Sequence, residues 1–338
     1  MSLPPSEIPL GAIRFNSDSQ KLEYYDGAQW LQVSTFSPLL NGGARGVFGG
    51  GFSPTLGNRN TIEYITISTT GNAVDFGNLI SATRTTGSAS SSTRGLFAGG
   101  ILTPVTNFTN NINYVTISST GDAQDFGDLR IPVSANSGCS SSTRGIFLGG
   151  FDTPSYYNTI EYVTISSLGD TVDFGDAITS NSRTASFSSS TRGVWCGGTG
   201  TAPLSNLNII QYLTISTLGD TSDFGDLTLA RNTCSGCSNS TRGLIGSGRT
   251  PTTYNIIDYV TISTLGNAID FGDLSYSAQW ISSCSSSIRG VWGGGETPAM
   301  VNTMNYVTIS TTGDAVDYGD LTEGKSDVSA LSNAHGGL

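Results

Sequence analysis

The chain repeats one pattern six times, with a period close to 48 residues. An Arg-Gly step marks each copy, and the intervals between successive arginines are 49, 50, 48, 50 and 47 residues. The six arginines are Arg45, Arg94, Arg144, Arg192, Arg242 and Arg289. A seventh, degenerate copy falls at His335, 46 residues after the last of them. Tandem copies of this length are typical of folds in which each copy is one supersecondary unit that packs on its neighbours.

Each copy contains four short segments that are typical of β-strands. In the first copy they are an apolar run at residues 47–50, a β-branched and aromatic run at 62–68, the segment around Phe76, and a serine-rich run at 88–92. β-branched and aromatic residues favour strands, and the Thr-Gly or Leu-Gly pair after the second segment favours a tight hairpin turn. Four strands per copy without helical periodicity predict an all-β fold, a six-bladed β-propeller of four-stranded blades.

The pattern of each copy resembles the kelch repeat. In the first copy the resemblance is carried by Arg45-Gly46-Val47-Phe48-Gly49-Gly50, then Tyr64 and Phe76. The kelch tryptophan is replaced by Phe or Tyr at positions 76, 126, 174, 224, 271 and 318. The resemblance covers residues 43–338 and implies a kelch-like propeller.

The size of the side chains predicts how the ring closes. The innermost strands of a propeller converge on its axis, so the serine-, glycine- and alanine-rich segment is expected there. The first copy begins at its second strand, and its missing innermost strand is expected from residues 328–333. The expected alignment places Ala330 in the same position as Ala89 and Cys139. Closure by the C-terminal strand removes an open sheet edge, and residues 44–338 are expected to form this domain.

Residues 1–34 do not fit the repeat and are predicted to form a small N-terminal β module, with residues 35–43 as a linker. The module is too short to be stable alone, so it needs a partner surface. Two strings in it resemble a small module common in tail-fibre and other virion structural proteins of bacteriophages, notably marine cyanophages. They are Gly11-Ala12-Ile13-Arg14-Phe15-Asn16 and Leu22-Glu23-Tyr24-Tyr25-Asp26-Gly27-Ala28-Gln29-Trp30. The resemblance implies attachment to a particle, with Ile13, Phe15, Tyr24, Tyr25 and Trp30 as the attachment residues.

Composition and charge exclude several classes of function. The formal net charge is −11, so a basic surface for nucleic acid or for anionic membranes is not expected. No run of 18 apolar residues suggests membrane insertion, and no secretory signal precedes the repeats. A single histidine and five scattered cysteines predict no metal site, no cofactor and no catalytic set. The chain is therefore predicted not to be an enzyme; a polysaccharide-cleaving enzyme would need carboxylates that meet in a deep pocket.

Two repeated sets of charged residues have structural interpretations. Each of the six arginines is expected to pair with one aspartate of a neighbouring blade, because a buried charge needs a partner. Those aspartates are Asp75, Asp125, Asp173, Asp223, Asp270 and Asp317. Aspartate triads such as Asp122, Asp125 and Asp128 suggest calcium, but positions i and i+3 of a strand point to opposite faces. Turn and pairing roles are favoured for them.

The loops that vary between copies are where a specific function is expected. Loops that hardly change serve the scaffold, whereas the variable loops share the opposite face and carry aromatic residues. Exposed aromatic and polar side chains suit stacking on sugars or contact with proteins. The predicted ligand- or partner-binding residues are Phe108, Tyr156, Tyr157, Arg249, Tyr254, Tyr276 and Trp280.

Together these expectations describe a phage virion structural protein of the tail-fibre or particle-decorating type. The N-terminal module would bind other virion proteins, and the propeller would bind a host-surface glycan or receptor. The alternative is a purely structural propeller that binds only other virion proteins. Association between copies of the chain is compatible with either, and the predicted location in both is the virion.

Overall fold

The computed structural model describes residues 8–16, 21–32, 44–103, 107–201 and 204–338. The predicted linker, residues 35–43, lies outside these ranges. The chain divides into two compact units, Met1–Asn41 and Gly42–Leu338. Throughout the described ranges the regular structure consists of β-strands in small antiparallel sheets, so the fold is all-β, as the sequence predicts.

The residues of the first unit that the structure describes form a three-stranded antiparallel sheet. Its strands are Ile13–Asn16, Lys21–Tyr25 and Trp30–Gln32, in that order across the sheet. Ile13 lies opposite Tyr24, and Tyr25 lies opposite Trp30. The turn before the third strand is fixed by Asp26, whose carboxylate accepts hydrogen bonds from the backbone N–H groups of Ala28 and Gln29, both at 2.8 Å.

The described residues of the second unit form six four-stranded antiparallel sheets, numbered here 1 to 6. The serine-rich strand of each sheet is named its first strand. Sheet 1 consists of Ser329–Ser332, Arg45–Gly49, Thr61–Thr66 and Val74–Asn78. Sheet 2 consists of Gly87–Ser90, Arg94–Ala98, Asn111–Thr116 and Gln124–Asp128. Sheet 3 consists of Ser137–Ser140, Arg144–Leu148, Thr159–Thr164 and Val172–Asp176. Sheet 4 consists of Ala185–Ser188, Arg192–Cys196, Ile209–Thr214 and Ser222–Asp226. Sheet 5 consists of Ser235–Ser238, Arg242–Gly246, Tyr254–Thr261 and Ile269–Ala278. Sheet 6 consists of Ser282–Ser285, Arg289–Gly293, Thr303–Thr308 and Val316–Asp320.

Short strands follow the second strand of most sheets and form hairpins beyond the sheet ends. They are Phe52–Ser53 with Gly57–Asn58, Ile101–Leu102 with Asn107–Phe108, Phe151–Asp152 with Ser155–Tyr156, Thr199–Thr201 with Leu204–Asn206, and Glu296–Thr297 with Ala299–Met300. Asn181–Ser182 adds a third strand beside Thr199–Thr201. These hairpins contain the most variable loops of the repeat.

The first strand of sheet 1 comes from the far end of the chain. Ser329–Ser332 pairs antiparallel with Arg45–Gly49, so residues almost 290 positions apart in sequence complete one sheet. The register differs by one residue from the expected alignment: Leu331, not Ala330, lies opposite Val47 in the position that Ala89 takes in sheet 2. The expected alignment is therefore wrong by one residue at this strand, where Leu331 fills the space left by Gly95.

Serine hydroxyls join the first strands into a closed cycle. Each of six serines donates a hydrogen bond of 2.6–2.8 Å to the carbonyl oxygen of its counterpart in the preceding sheet. They are Ser90, Ser140, Ser188, Ser238, Ser285 and Ser332. Because Ser90 of sheet 2 donates to Ser332 of sheet 1 and Ser332 donates to Ser285 of sheet 6, the series returns to its start.

The turns between the third and fourth strands also link neighbouring sheets. In each turn an Asp or Asn side chain accepts a hydrogen bond of 2.9–3.0 Å from a backbone N–H on the fourth strand of the preceding sheet. Asp122, for example, accepts from Asn78, and Asp170 accepts from Asp128. This is the pairing role that the sequence favours over calcium binding for the first aspartate of each triad.

The prediction for the six repeated arginines is wrong. Each donates from Nη1 to a backbone carbonyl oxygen in the next sheet, at 2.7–3.2 Å, as Arg45 does to Ile117. Each guanidinium also lies over the Tyr ring of its own sheet, with its carbon 4.4–4.9 Å from the ring centre. The aspartates proposed as partners, such as Asp75, are exposed to solvent. Water solvates these exposed carboxylates, whereas the backbone carbonyl groups that face the arginines need hydrogen-bond donors. The arginines therefore bond to the carbonyl groups.

Two glycines allow the contact between a fourth strand and the turn of the next sheet to be tested for its contribution to stability. Gly225 and Gly219 have φ angles of +148° and +146°, so alanine strains both backbones by about 1–3 kcal/mol. A Cβ atom on Gly225 would collide with the carbonyl oxygen of Gly266, whereas one on Gly219 would meet open space. Gly225→Ala should therefore lower the free energy of unfolding by about 1–3 kcal/mol more than Gly219→Ala. Denaturant titration of both variants measures the difference, and equal losses would contradict this packing.

Candidate functional site

The six first strands enclose a cavity of about 170 Å³. His335 lies at one end of it, with Nε2 3.1 Å from the carbonyl oxygen of Ser90 and 3.2 Å from Ser140 Oγ. Its Nδ1 accepts a hydrogen bond from the Gly337 N–H, so the proton belongs on Nε2. Gly336 also donates to the carbonyl of Ser238. Burial lowers the pKa of His335 to about 4, and the neutral ring closes this end of the cavity.

The opposite end is surrounded by six residues that precede the first strands, here called the collar. The collar residues are Thr85, Ala135, Arg183, Thr233, Trp280 and Asp327. All six have φ between 52° and 60°, a conformation that costs a non-glycine residue roughly 1–3 kcal/mol and that clusters at functional sites. The backbone geometry is the same in every copy, whereas the side chains differ from copy to copy.

Backbone hydrogen bonds connect the collar residues around most of the ring. The N–H of each donates to the carbonyl of the preceding one at five steps, with lengths of 2.8–3.2 Å. Within the described residues, the step from the N–H of Trp280 to the carbonyl of Thr233 has no such bond. The collar therefore holds its side chains at fixed positions around the cavity mouth and is interrupted beside Trp280.

Aromatic rings and one guanidinium group form a cluster at this mouth. The Arg183 guanidinium carbon lies 5.1 Å from the Trp280 ring centre and 5.2 Å from that of Phe151. Phe151 stacks on Tyr156, with ring centres 5.6 Å apart, and meets Phe108 edge to face at 5.9 Å. The structure thus brings together three predicted residues, Phe108, Tyr156 and Trp280. Phe151 and Arg183 link them and were missed.

A second charged group lies on the other side of the mouth. The Arg84 guanidinium carbon is 4.8 Å from the centre of the Phe52 ring, and Asp327 accepts a hydrogen bond from the Ser326 hydroxyl at 3.0 Å. Burial, with a smaller contribution from nearby Glu296, raises the pKa of Asp327 to about 6, while Arg84, the Ser326 hydroxyl and Arg183 oppose the shift. The mouth therefore combines two cations, a carboxyl group that titrates near neutrality, and aromatic surfaces.

The other residues predicted for this face do not join the cluster through any ring or cation contact among the described residues. Tyr276 packs on the apolar core between sheets 5 and 6, and its hydroxyl lies 2.9 Å from the Gly294 carbonyl oxygen. Tyr157 packs on the core between sheets 2 and 3. The Tyr254 hydroxyl donates to the Thr250 carbonyl, and Arg249 is exposed and donates to that of Pro251. These tyrosines are only partly exposed, because their rings pack on the core or their hydroxyls bond to backbone carbonyl groups.

The predicted attachment residues divide between the two faces of the N-terminal sheet. Ile13 and Phe15 are each 66% exposed, and Tyr24 lies on the same face. Tyr25 and Trp30 lie on the other face with ring centres 5.4 Å apart, and the Arg14 guanidinium lies 4.2 Å from the Trp30 ring centre. One face is therefore apolar and open, while the other is packed within the module.

Comparison of the chain with models of known protein families and with curated protein sequences finds no match. Within the described ranges, no helix is long and apolar enough to cross a membrane. The same ranges contain no group of three or more His, Cys, Asp or Glu side chains placed to hold a metal ion.

The pKa of Asp327 predicts a pH-dependent stability. The native state holds this proton up to about pH 6, whereas the pKa of an unperturbed aspartate is 3.8. The native state binds more protons between these values, so this group's contribution to the free energy of unfolding falls as the pH rises through them. The free energy of unfolding of Asp327→Asn should exceed that of the wild type by about 2–3 kcal/mol at pH 7 and match it near pH 4. Denaturant titrations across this range test this, with the exposed Asp223→Asn as control; a constant offset would contradict the assignment.

Proposed function

We propose that residues 44–338 form a six-bladed β-propeller of kelch-like type, in which each four-stranded sheet is one blade. The cycle of serine hydrogen bonds supports this arrangement, as does the pairing of Ser329–Ser332 with Arg45–Gly49. The two turn sets that repeat in every copy support a common scaffold face, and the hairpins with divergent sequences lie at the other ends of the strands.

We propose further that the propeller is the recognition domain of a phage virion protein, of the tail-fibre or particle-decorating type, and that it binds a host-surface glycan or receptor. The observation that carries this proposal is the cluster of Phe108, Phe151, Tyr156, Arg183 and Trp280 at the open mouth of the cavity. Aromatic faces bind sugar rings, and guanidinium groups bind their oxygen substituents. The cluster is built from side chains that differ between copies, so the scaffold does not require it.

The proposed role of the N-terminal sheet is attachment to the particle. Its open face presents Ile13, Phe15, Leu22 and Tyr24, and a sheet of three short strands gains stability by covering such a face. The resemblance to small modules of virion proteins supports other virion proteins as its partners.

A purely structural scaffold is the second candidate, and a different surface favours it. Leu168, Leu218 and Leu265 occupy the same turn in three successive sheets and are 56–58% exposed. Val172 and Ile269, on the fourth strands of sheets 3 and 5, are exposed to a similar extent. A contact with another virion protein would cover these side chains.

The two candidates predict opposite effects of two substitutions. Trp280→Ala should reduce binding of the labelled full chain to a bacterial polysaccharide array at least tenfold, because it removes the largest ring at the mouth. Leu218→Ser should leave that binding unchanged. Loss of particle assembly with Leu218→Ser, together with unchanged binding by Trp280→Ala, would instead favour the scaffold. Release of oligosaccharide products by the wild type would contradict a role restricted to binding.

Removal of residues 1–40 tests attachment separately. The truncated chain should unfold cooperatively, because its contacts form a separate compact unit, but it should no longer be incorporated into particles. A full chain with Phe15→Ser should show the same defect more weakly, whereas Gln29→Ser, in an exposed turn, should not. Incorporation of the truncated chain at the wild-type level would overturn the proposed attachment.

A further inference from the structure

Two guanidinium groups at the cavity mouth have no hydrogen-bond acceptor within the part of the chain that the structure describes. Arg84 and Arg183 are both partly buried, and the Nε atom of each is shielded from solvent without a partner. The Nε of the buried Arg231 also lacks a hydrogen-bond partner, but Arg231 forms an ion pair of 3.0 Å with Asp258 through Nη1, and Lys325 forms one with Glu63. A buried cation without a paired acceptor is costly, so these two arginines stand apart from the structural charges of the fold.

The position of Arg183 makes it available to a ligand. Its contacts with Trp280 and Phe151 are to ring faces, which hold the guanidinium in place but accept none of its hydrogen bonds. Arg84 and Arg183 both lie near enough to Asp327 to oppose the rise in its pKa. The Arg84 guanidinium lies over Phe52, which pairs with Ser326 next to Asp327, and Arg183 and Asp327 both line the cavity. Two cationic donor groups therefore lie at the same mouth.

The cavity limits what can enter. It is closed by His335 at the far end, and its volume of about 170 Å³ is below the roughly 300–1,000 Å³ of pockets that hold drug-sized ligands. A polymer cannot pass through such a site, whereas the end of a chain can enter the mouth. The occupant should therefore be a single terminal group.

We propose that this mouth binds the terminal residue of an acidic glycan, with its carboxylate held by Arg183 and Arg84 and its ring against Trp280. The inference rests on the proposed glycan-binding function and adds the charge class of the ligand. Guanidinium and carboxylate groups form paired hydrogen bonds of matching geometry. A singly charged carboxylate suits the site better than a dianionic phosphate, because Asp327 and Glu296 contribute negative charge to the same region.

Asp327 opposes an anionic ligand when it is ionised. The charged and polar groups that act on it are Arg84, Arg183, Glu296 and the Ser326 hydroxyl. Replacing it with Asn keeps the shape of the side chain and removes its charge. Asp327→Asn should therefore bind an acidic glycan more tightly at pH 7.5, whereas Arg183→Gln should bind it more weakly. Two substitutions with opposite expected signs separate an effect on the ligand from a general loss of folding.

The experiment titrates the full chain by calorimetry at pH 7.5 with tetragalacturonate, oligomannuronate and sialyllactose, and with the methyl ester of each. At least one acid should bind tenfold or more tightly than its ester. Arg183→Gln should lower the affinity for that acid at least tenfold without changing the affinity for the ester. Asp327→Asn should raise the affinity for the acid severalfold. Arg130→Gln, at an exposed arginine paired with Asp173, is the matched control. Thermal unfolding of each variant confirms that it is folded.

Several results would overturn the inference. Equal affinities for the acids and their esters, with both lost in Trp280→Ala, would refute the acidic ligand and leave glycan recognition intact. Unchanged affinity in Arg183→Gln would refute the role of the arginine. Stronger competition by inorganic phosphate than by glucuronate would assign the site to phosphate. Failure of every acid to bind would also refute the inference, and the array experiment would then decide the proposed function on its own.

Discussion

The fold depends on how each sheet is joined to the next. The serine-rich first strands of neighbouring sheets approach one another closely, and carbonyl groups on their outer edges need donors from outside their own sheet. The serine hydroxyls meet this need, for example from Ser140 to Ser90. Each such bond is worth only about 1 kcal/mol, but six of them form a cycle with no free end. The first strand of sheet 1 must then come from the far end of the chain, because the N-terminal copy lacks one.

The residues that repeat from copy to copy form the contacts between sheets, whereas the side chains at the cavity mouth differ between copies. The collar shows the two together. Its backbone takes the same left-handed conformation in all six copies, while its side chains range from Ala135 to Trp280. A fixed frame of this kind places different side chains at equivalent positions around one opening. Arg183 and Asp327 occupy two of these positions, so a charged site forms without a change in the scaffold.

The errors and omissions of the sequence-based predictions have a common cause. Residue type indicates that a buried arginine needs an acceptor but does not indicate which one, and Arg45 uses the backbone carbonyl of Ile117 instead of an aspartate. In the same way, aromatic residues in variable loops predicted Phe108 and Trp280, but equally predicted Tyr276, whose hydroxyl bonds to backbone carbonyl groups of the next sheet. Arg183 was not predicted as a site residue because it lies next to a first strand, and the repeat indicated a purely structural role for that segment.

The sequence by itself determined the all-β class and the number of copies, because strand-forming residues and turn glycines recur at a fixed interval. It also determined which loops vary, and hence where a specific surface was to be sought. Only the tertiary structure decided the one-residue register of Leu331, the acceptors of the repeated arginines, and the meeting of Arg183 with Phe151 and Trp280. These depend on distances between residues up to about 290 positions apart, which local pattern does not encode.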